Sequence, residues 1–260
     1  MIRTTQPVGS GLLLDPKWGF NAAILPSVGQ YLLGRNVSRT VVVGTPTTGV
    51  SNAGGFQRQY ALGQAEFYNH NGLNFSTGYS WLWVGNWSQL GNFGGLICAI
   101  RDNTQAFGAW AWGKAAASTT LYVIHNESSG VNTGILITDI LSTQSAVWIG
   151  SWDGATVSLW RNGVLLGSAD HAVAPPFFAG TGRLGPAATR DTQTTIANFT
   201  LAAVSTAKIS AEALTKLSVN PWQLFMPLRD RPHDLSGGVA PTFKPWYAPQ
   251  RSRGIGIGMR

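Results

Sequence analysis

Charge is scarce in this chain. Asp, Glu, Lys and Arg make up 11% of its 260 residues, under half of the roughly 25% found in an ordinary soluble domain. A surface so poor in charge must be built from Ser, Thr, Asn, Gln and Gly, with backbone pairing organising the fold. Extracellular β proteins and virion shells share this composition. Cysteine is almost missing too: Cys98 stands alone in the apolar run Leu96 to Ile100, which excludes an internal disulfide and fits a small core residue. No apolar run reaches the roughly 18 residues of a membrane span. Near the start, Gly11 to Leu14 is stopped by Asp15 and Pro16 and is too short for the apolar region of a signal peptide. Export, if it occurs, is then expected within a particle.

Recognisable catalytic and metal-binding patterns are missing as well. His70, His125, His171 and His233 are scattered without Cys partners or a His-x-x-x-His spacing, so no zinc site is expected. Asp102-Asn103 and Asn126-Glu127 are the adjacent pairs suited to calcium outside the turns, and solvated loop ends explain them without a metal. Asp170-His171 lacks a Gly-x-Ser-x-Gly elbow, and no glycine-rich phosphate loop precedes a helix. No cofactor is expected.

Against these absences stand 44% hydrophobic residues, 32 glycines and eleven tryptophans. Abundant aromatic and β-branched residues exclude a disordered chain, and this length suits one β-sandwich domain. The formal charge of +7 is unevenly spread: residues 227–260 hold six basic and two acidic residues, a net +4, and the other 226 residues hold only +3. That places the excess on a tail, read as an arm docking on an acidic protein surface rather than on nucleic acid.

The segment from Ala146 to Gly167, AVWIGSWDGATVSLWRNGVLLG, gives the fold class. Asp153-Gly154 and Asn162-Gly163 are pairs that accept positive φ at both centres of a type I′ turn, so three strands in an antiparallel meander are expected. Further strand patterns lie at Val41 to Val43, Phe56 to Phe67, Ser80 to Val84, Phe107 to Trp112, Leu121 to Ile124 and Thr194 to Val204. About ten to thirteen strands in two sheets follow. Residues 1–35, broken by Pro7, Pro16 and Pro26, read as an N-terminal arm with one edge strand. One helix is expected: Ser210 caps it, Glu212 lies in its first turn, and Ile209, Leu214 and Leu217 share a face. Asn220-Pro221 ends the helix, and Trp222 to Phe225 pins the chain back onto the sheets. The expected division is an arm (1–35), a sandwich (36–226) and a basic Pro- and Gly-rich arm (227–260).

The run from Trp148 to Gly167 is similar to the central hairpin of the concanavalin A-like jelly rolls of the laminin G type. Ile196 to Phe225 resembles their closing strand, with the short helix and Asn-Pro-Trp ending of bacteriophage and prophage versions. Together these matches cover roughly 60 residues. The resemblance implies an all-β, two-sheet antiparallel jelly-roll sandwich with one short C-terminal helix and extended terminal arms. It leaves function open, because one jelly roll serves lectins, glycoside hydrolases, adhesion modules and virion parts. The Glu-x-Asp-x-x-Glu strand of laminarinase-type hydrolases is missing. Glu66, Glu127 and Glu212 are the only glutamates, and none has a second carboxylate near enough in sequence for retaining hydrolysis.

A non-enzymatic bacteriophage virion accessory protein, a capsid decoration or tail component located in the virion, is therefore the first expectation. Its partners would be other virion proteins and further copies of itself, met through Arg229, Arg231, Trp246, Tyr247, Arg251, Arg253 and Arg260 of the arm, whose guanidinium groups suit bidentate pairing with carboxylates. A host-glycan-binding module is the second and a glycoside hydrolase the third. For a glycan, Trp110 and Trp112 lie two apart and hence on one strand face, alternating with Ala109, Ala111 and Gly113; with loop Asn126 they form the candidate platform. Trp81 and Trp83 have the same spacing, and core filling is the competing role for both pairs.

Overall fold

The Asn162-Gly163 turn forms as its residues dictate. In the computed structural model Asn162 (φ 52) and Gly163 (φ 88) are both left-handed, the requirement of a type I′ turn. Asp153-Gly154 departs from the expectation. Only Gly154 has positive φ (98), while Asp153 Oδ1 accepts the N–H groups of Ala155 (3.0 Å) and Thr156 (2.9 Å). The carboxylate thus closes the corner itself, an Asx turn that needs no left-handed aspartate.

The structure describes residues 18, 20–24, 31–33, 38–50, 56–61, 65–71, 76–89, 95–101, 108–113, 121–126, 132–137, 142–174, 181–184 and 196–225. The strands are β1 (Phe20–Ile24), β2 (Tyr31–Leu33), β3 (Ser38–Val43), β4 (Thr47–Val50), β5 (Phe56–Tyr60), β6 (Ala65–Asn71), β7 (Tyr79–Gln89) and β8 (Gly95–Arg101). They continue as β9 (Gly108–Gly113), β10 (Leu121–Asn126), β11 (Asn132–Ile137), β12 (Ser142–Trp152), β13 (Thr156–Arg161), β14 (Val164–Asp170), β15 (Thr181–Leu184) and β16 (Ile196–Ser205). Helix α1 (Ala211–Val219) and a 3₁₀ turn (Pro221–Phe225) follow. The fold is all-β and antiparallel with one short helix.

Hydrogen bonding divides the described strands into three sheets, where two were expected. The largest runs β14-β13-β12-β7-β16-β1-β2, with β5 also bonded to β16 and β4 to β5. Strand β16 is shared along one edge, pairing with β5 over Ala197–Phe199 and with β1 over Leu201–Val204. The second sheet is β11-β10-β9-β8 and the third β15-β6-β3. These two meet where β15 lies along β8. The strand total exceeds the expectation because β2, β4 and β15 are only three or four residues long, too short to show a period. The Phe56 to Phe67 pattern holds two strands in different sheets. Residues 1–35 likewise supply two strands, and β1 sits inside the large sheet rather than at its edge.

Both faces of the large sheet are buried along β7 and β12. On one face Leu82, Val84, Val147, Ile149, Trp160, Leu201 and Ala203 meet Ala213, Leu214 and Leu217 of α1, together with Trp18, Ile209, Trp222 and Leu224. The helix starts as expected, with Ser210 Oγ accepting the Ala213 N–H (3.3 Å), and ends where Asn220 N–H donates to Lys216 O before Pro221. Beyond this apolar patch a row of serines crosses five strands in register: Ser205, Ser80, Ser151, Ser158 and Ser168. Within it the Ser80 and Ser151 hydroxyls share a hydrogen bond of 3.0 Å, and Ser205 Oγ accepts the Ala207 N–H. Buried hydroxyls are tolerated there because each finds a partner.

Candidate functional site

The opposite face of the large sheet is lined with indoles. Trp81 pairs with Gly150, Trp83 with Trp148 and Tyr79 with Trp152, so all six stand on one face, and the side chains are at most 1% exposed. Glycines on this face allow close approach: a Cβ on Gly150 would fall 2.2 Å from Cε2 and Cζ2 of Trp81, and one on Gly85 would fall 2.0 Å from the Asn198 carbonyl oxygen and 2.7 Å from Trp83 Nε1. Trp83 packs on Phe199 at 4.9 Å between ring centroids, and the Arg161 guanidinium lies 5.0 Å from the centre of the Trp148 ring. Trp152 Nε1 donates to His171 O (2.7 Å). Burial also holds the Tyr79 phenol in its neutral form, with its pKa well above the ordinary value. Trp81 and Trp83 therefore take the core role. With Trp18, Trp160 and Trp222 also buried, every tryptophan whose side chain is described belongs to the interior.

The register of the second sheet brings the glycan-platform candidates together. Trp110 faces Ile124 and Trp112 faces Tyr122 on β10, while Asn126 faces Gly108 on β9. Directly opposed residues share a sheet face and the side-chain period is two, so Trp110, Trp112 and Asn126 occupy register positions on one face. Two residues that sequence reading did not select join them. Arg101 is opposite Gly108, and Asn132 is opposite Asn126. The result is a four-strand row, Arg101-Gly108-Asn126-Asn132, about 14 Å across at the usual strand spacing, with Trp110 two positions along. The same face also holds the register positions of Cys98, Tyr122, Ile124 and Leu136, while Ile97, Ile100, Ala109, Ala111, Val123, His125, Thr133 and Ile135 take those of the opposite face. A bulge between Cys98 and Ile100 puts Cys98 and Arg101 on the same face three residues apart, a relation that simple alternation hides. The partner-binding candidates Arg229, Arg231, Trp246, Tyr247, Arg251, Arg253 and Arg260 lie outside the described residues.

Asp153 and Glu212 serve local structure. Burial would raise the Asp153 pKa, but the amides of Thr156 and Ala155 and the nearby Lys208 charge outweigh it and leave the carboxyl below its ordinary range. A depressed carboxylate stabilises the fold fully above its unfolded-state pKa, and this contribution is lost as pH falls through the lower folded value. Asp153→Asn should therefore weaken the corner at neutral pH and flatten the loss of stability below about pH 4; urea midpoints of both proteins across the acid range measure it. Glu212 is exposed on α1 and accepts a hydrogen bond from Lys216 Nζ one turn on. Among the described residues no cluster of three His, Cys, Asp or Glu side chains is placed to hold a metal ion, and no helix is long and apolar enough to cross a membrane.

No protein-family profile and no characterised protein sequence matches the chain. Its fold, however, matches solved structures. The binding domain of Paraclostridial Mosquitocidal Protein 1 superposes with a TM-score of 0.61 at 10% identity, covering 82% of this chain and 53% of that one. The receptor binding domain of botulinum neurotoxin D gives 0.56 at 11% identity over 78% of this chain and 52% of its own. That of botulinum neurotoxin type G gives 0.53 at 9% identity over 76% and 50%. The chain spans about half the length of these structures, and at such identities the likeness is one of fold.

Proposed function

We propose that this chain is a non-enzymatic recognition domain, a two-layer jelly-roll sandwich whose ligand face is the β8–β11 sheet, with Trp110 and Trp112 as stacking platform and Asn126, Asn132 and Arg101 as polar contacts. The observation that carries this reading is the register row Arg101-Gly108-Asn126-Asn132 beside Trp110. Gly108 leaves a notch in the row, indoles stack on the C–H faces of sugar rings, and carboxamides offer both a donor and an acceptor to neighbouring hydroxyls. We assign the outward face by a packing argument. The large sheet already presents four indoles, and layers separated by about 10 Å interdigitate best when large side chains meet small ones. The face of Ala109, Ala111, Val123 and Ile135 offers small and branched residues for that contact, with His125 and Thr133 near one end. The other face, which joins Arg101, Asn126 and Asn132 to Trp110, Trp112 and Tyr122, has the mixed polar and aromatic character of a ligand surface. The receptor-binding domains of the fold neighbours support a recognition role by analogy of architecture.

The finer reading keeps this domain as an accessory protein of a bacteriophage virion. The arm 227–260 docks it on neighbouring virion subunits, and the β8–β11 face points to a host-surface glycan. A glycan array with the full chain tests the ligand face. Trp110→Ala should lower affinity by about 2 kcal/mol, roughly thirtyfold, as for a central aromatic contact, and Asn126→Ala by less. Binding that is unchanged in both variants would remove the platform from the proposal.

A further inference from the structure

The Asn162-Gly163 turn carries a chemistry that its role as a corner does not use. In an Asn-Gly pair the backbone nitrogen of glycine can attack the asparagine carboxamide. The Gly163 N–Asn162 Cγ bond forms and the Cγ–Nδ2 bond breaks. The carboxamide nitrogen leaves as ammonia, taking up the amide proton of Gly163. Water then opens the cyclic imide, giving either aspartate or an isoaspartyl linkage. No oxidant or cofactor is required.

Here both the asparagine side chain and the attacking nitrogen are held. Asn162 Oδ1 accepts the Val147 N–H (2.8 Å) and Asn162 N–H donates to Val147 O (3.0 Å). The attacking nitrogen, Gly163 N, donates its proton to Ser218 Oγ (2.8 Å), and Ser218 Oγ in turn donates to Thr215 O (2.9 Å) inside α1. Val219 lies against the turn from the same helix, its Cγ2 2.5 Å from where a Cβ on Gly163 would stand. Both contacts on Gly163 belong to the last turn of α1, so the attacking nitrogen is freed only when the helix end lifts.

We propose that Asn162-Gly163 is a self-modification site which α1 keeps closed through Ser218 and Val219, so that the fraction deamidated there grows with the time the helix spends undocked. The outcome is one-way. An isoaspartyl linkage adds a methylene to the backbone of a two-residue turn and breaks the opposition of Arg161 to Val164, so a hairpin that has once opened and reacted no longer closes in register.

Incubating the full chain at mildly alkaline pH and mapping its peptides by mass tests this. Asn71-Gly72, the other Asn-Gly pair in the sequence, serves as a standard for the rate in the urea-denatured chain. In the folded protein, conversion at Asn162 should be slower than in the denatured chain by about tenfold or more, the suppression expected of a locally protected segment. Ser218→Ala, which removes one hydrogen bond, should speed it about fivefold. Val219→Ala should also speed it, and this half-exposed side chain can be shortened without touching the core, so the test survives if Ser218→Ala fails to fold. Ser218→Thr should restore the slow rate. Folded protein that converts as fast as denatured protein overturns the proposal. So do variants with unchanged melting whose rate at Asn162 is unaltered or lower.

Discussion

Trp81→Ala is expected to remove about 3–5 kcal/mol of unfolding free energy, the usual cost of emptying a large aromatic site. Trp81 is 1% exposed, and its indole lies across the neighbouring strand at Gly150, where no side chain competes with it. Gly150→Ala should be costly for the converse reason. The new methyl group would have to share space with Cε2 and Cζ2 of the ring, and neither the ring nor the strand beneath it can yield without disturbing the pairing of β7 with β12. The two substitutions act on one volume, so they should not add. The double variant is expected to be more stable than the sum of the singles predicts by about 1–3 kcal/mol. Urea denaturation of the four proteins measures the coupling, and simple additivity would show that the ring and the glycine do not depend on each other.

A chain ending at Asn220 should lose its cooperative melting transition, while one ending at Met226 keeps it. The six residues between these ends include Trp222 and Leu224, at 1% and 0% exposure, which pack beside Trp18 and Leu217. Withdrawing two such side chains from the core forfeits about 5 kcal/mol, the whole margin of many domains. Circular dichroism on heating separates the two truncations. The longer one also bears on the virion reading. If arm 227–260 is the anchor, the protein ending at Met226 should fold and yet fail to join particles. Normal incorporation of that protein would remove the arm from the proposed function.

The parts of the fold that were legible in the sequence are those whose cause is local. Asn162-Gly163 announces its turn because few other pairs accept two left-handed residues. Ser210, Glu212 and the Leu214-Leu217 spacing announce α1 because capping and amphipathicity act within a few residues. What escaped depends on partners far along the chain. Asp153 was expected to take the same left-handed form as Asn162, but its carboxylate found two backbone amides and made that conformation unnecessary. The Ser80-Ser151 contact joins residues 71 positions apart, and neither serine has a neighbour that hints at it. Arg101 and Asn132 fall into the row of Asn126 only through the pairing of four strands and one bulge. Trp81 and Trp110 sit in similar alternating runs; the large sheet decided the first, while the second is known only by its place on β9.

The position of β16 has a consequence for how the protein is made. The last of the described strands, it lies in the interior of the largest sheet, with β7 on one side and β1 and β5 on the other. Until the ribosome has delivered Ile196 to Ser205, the β14-β13-β12-β7 and β1-β2 groups have no strand to join them, and β1 and β7 each present an unsatisfied backbone edge. Such a topology delays the rewarding long-range contacts to the end of synthesis. A nascent chain of this kind is one that a chaperone would be expected to shield.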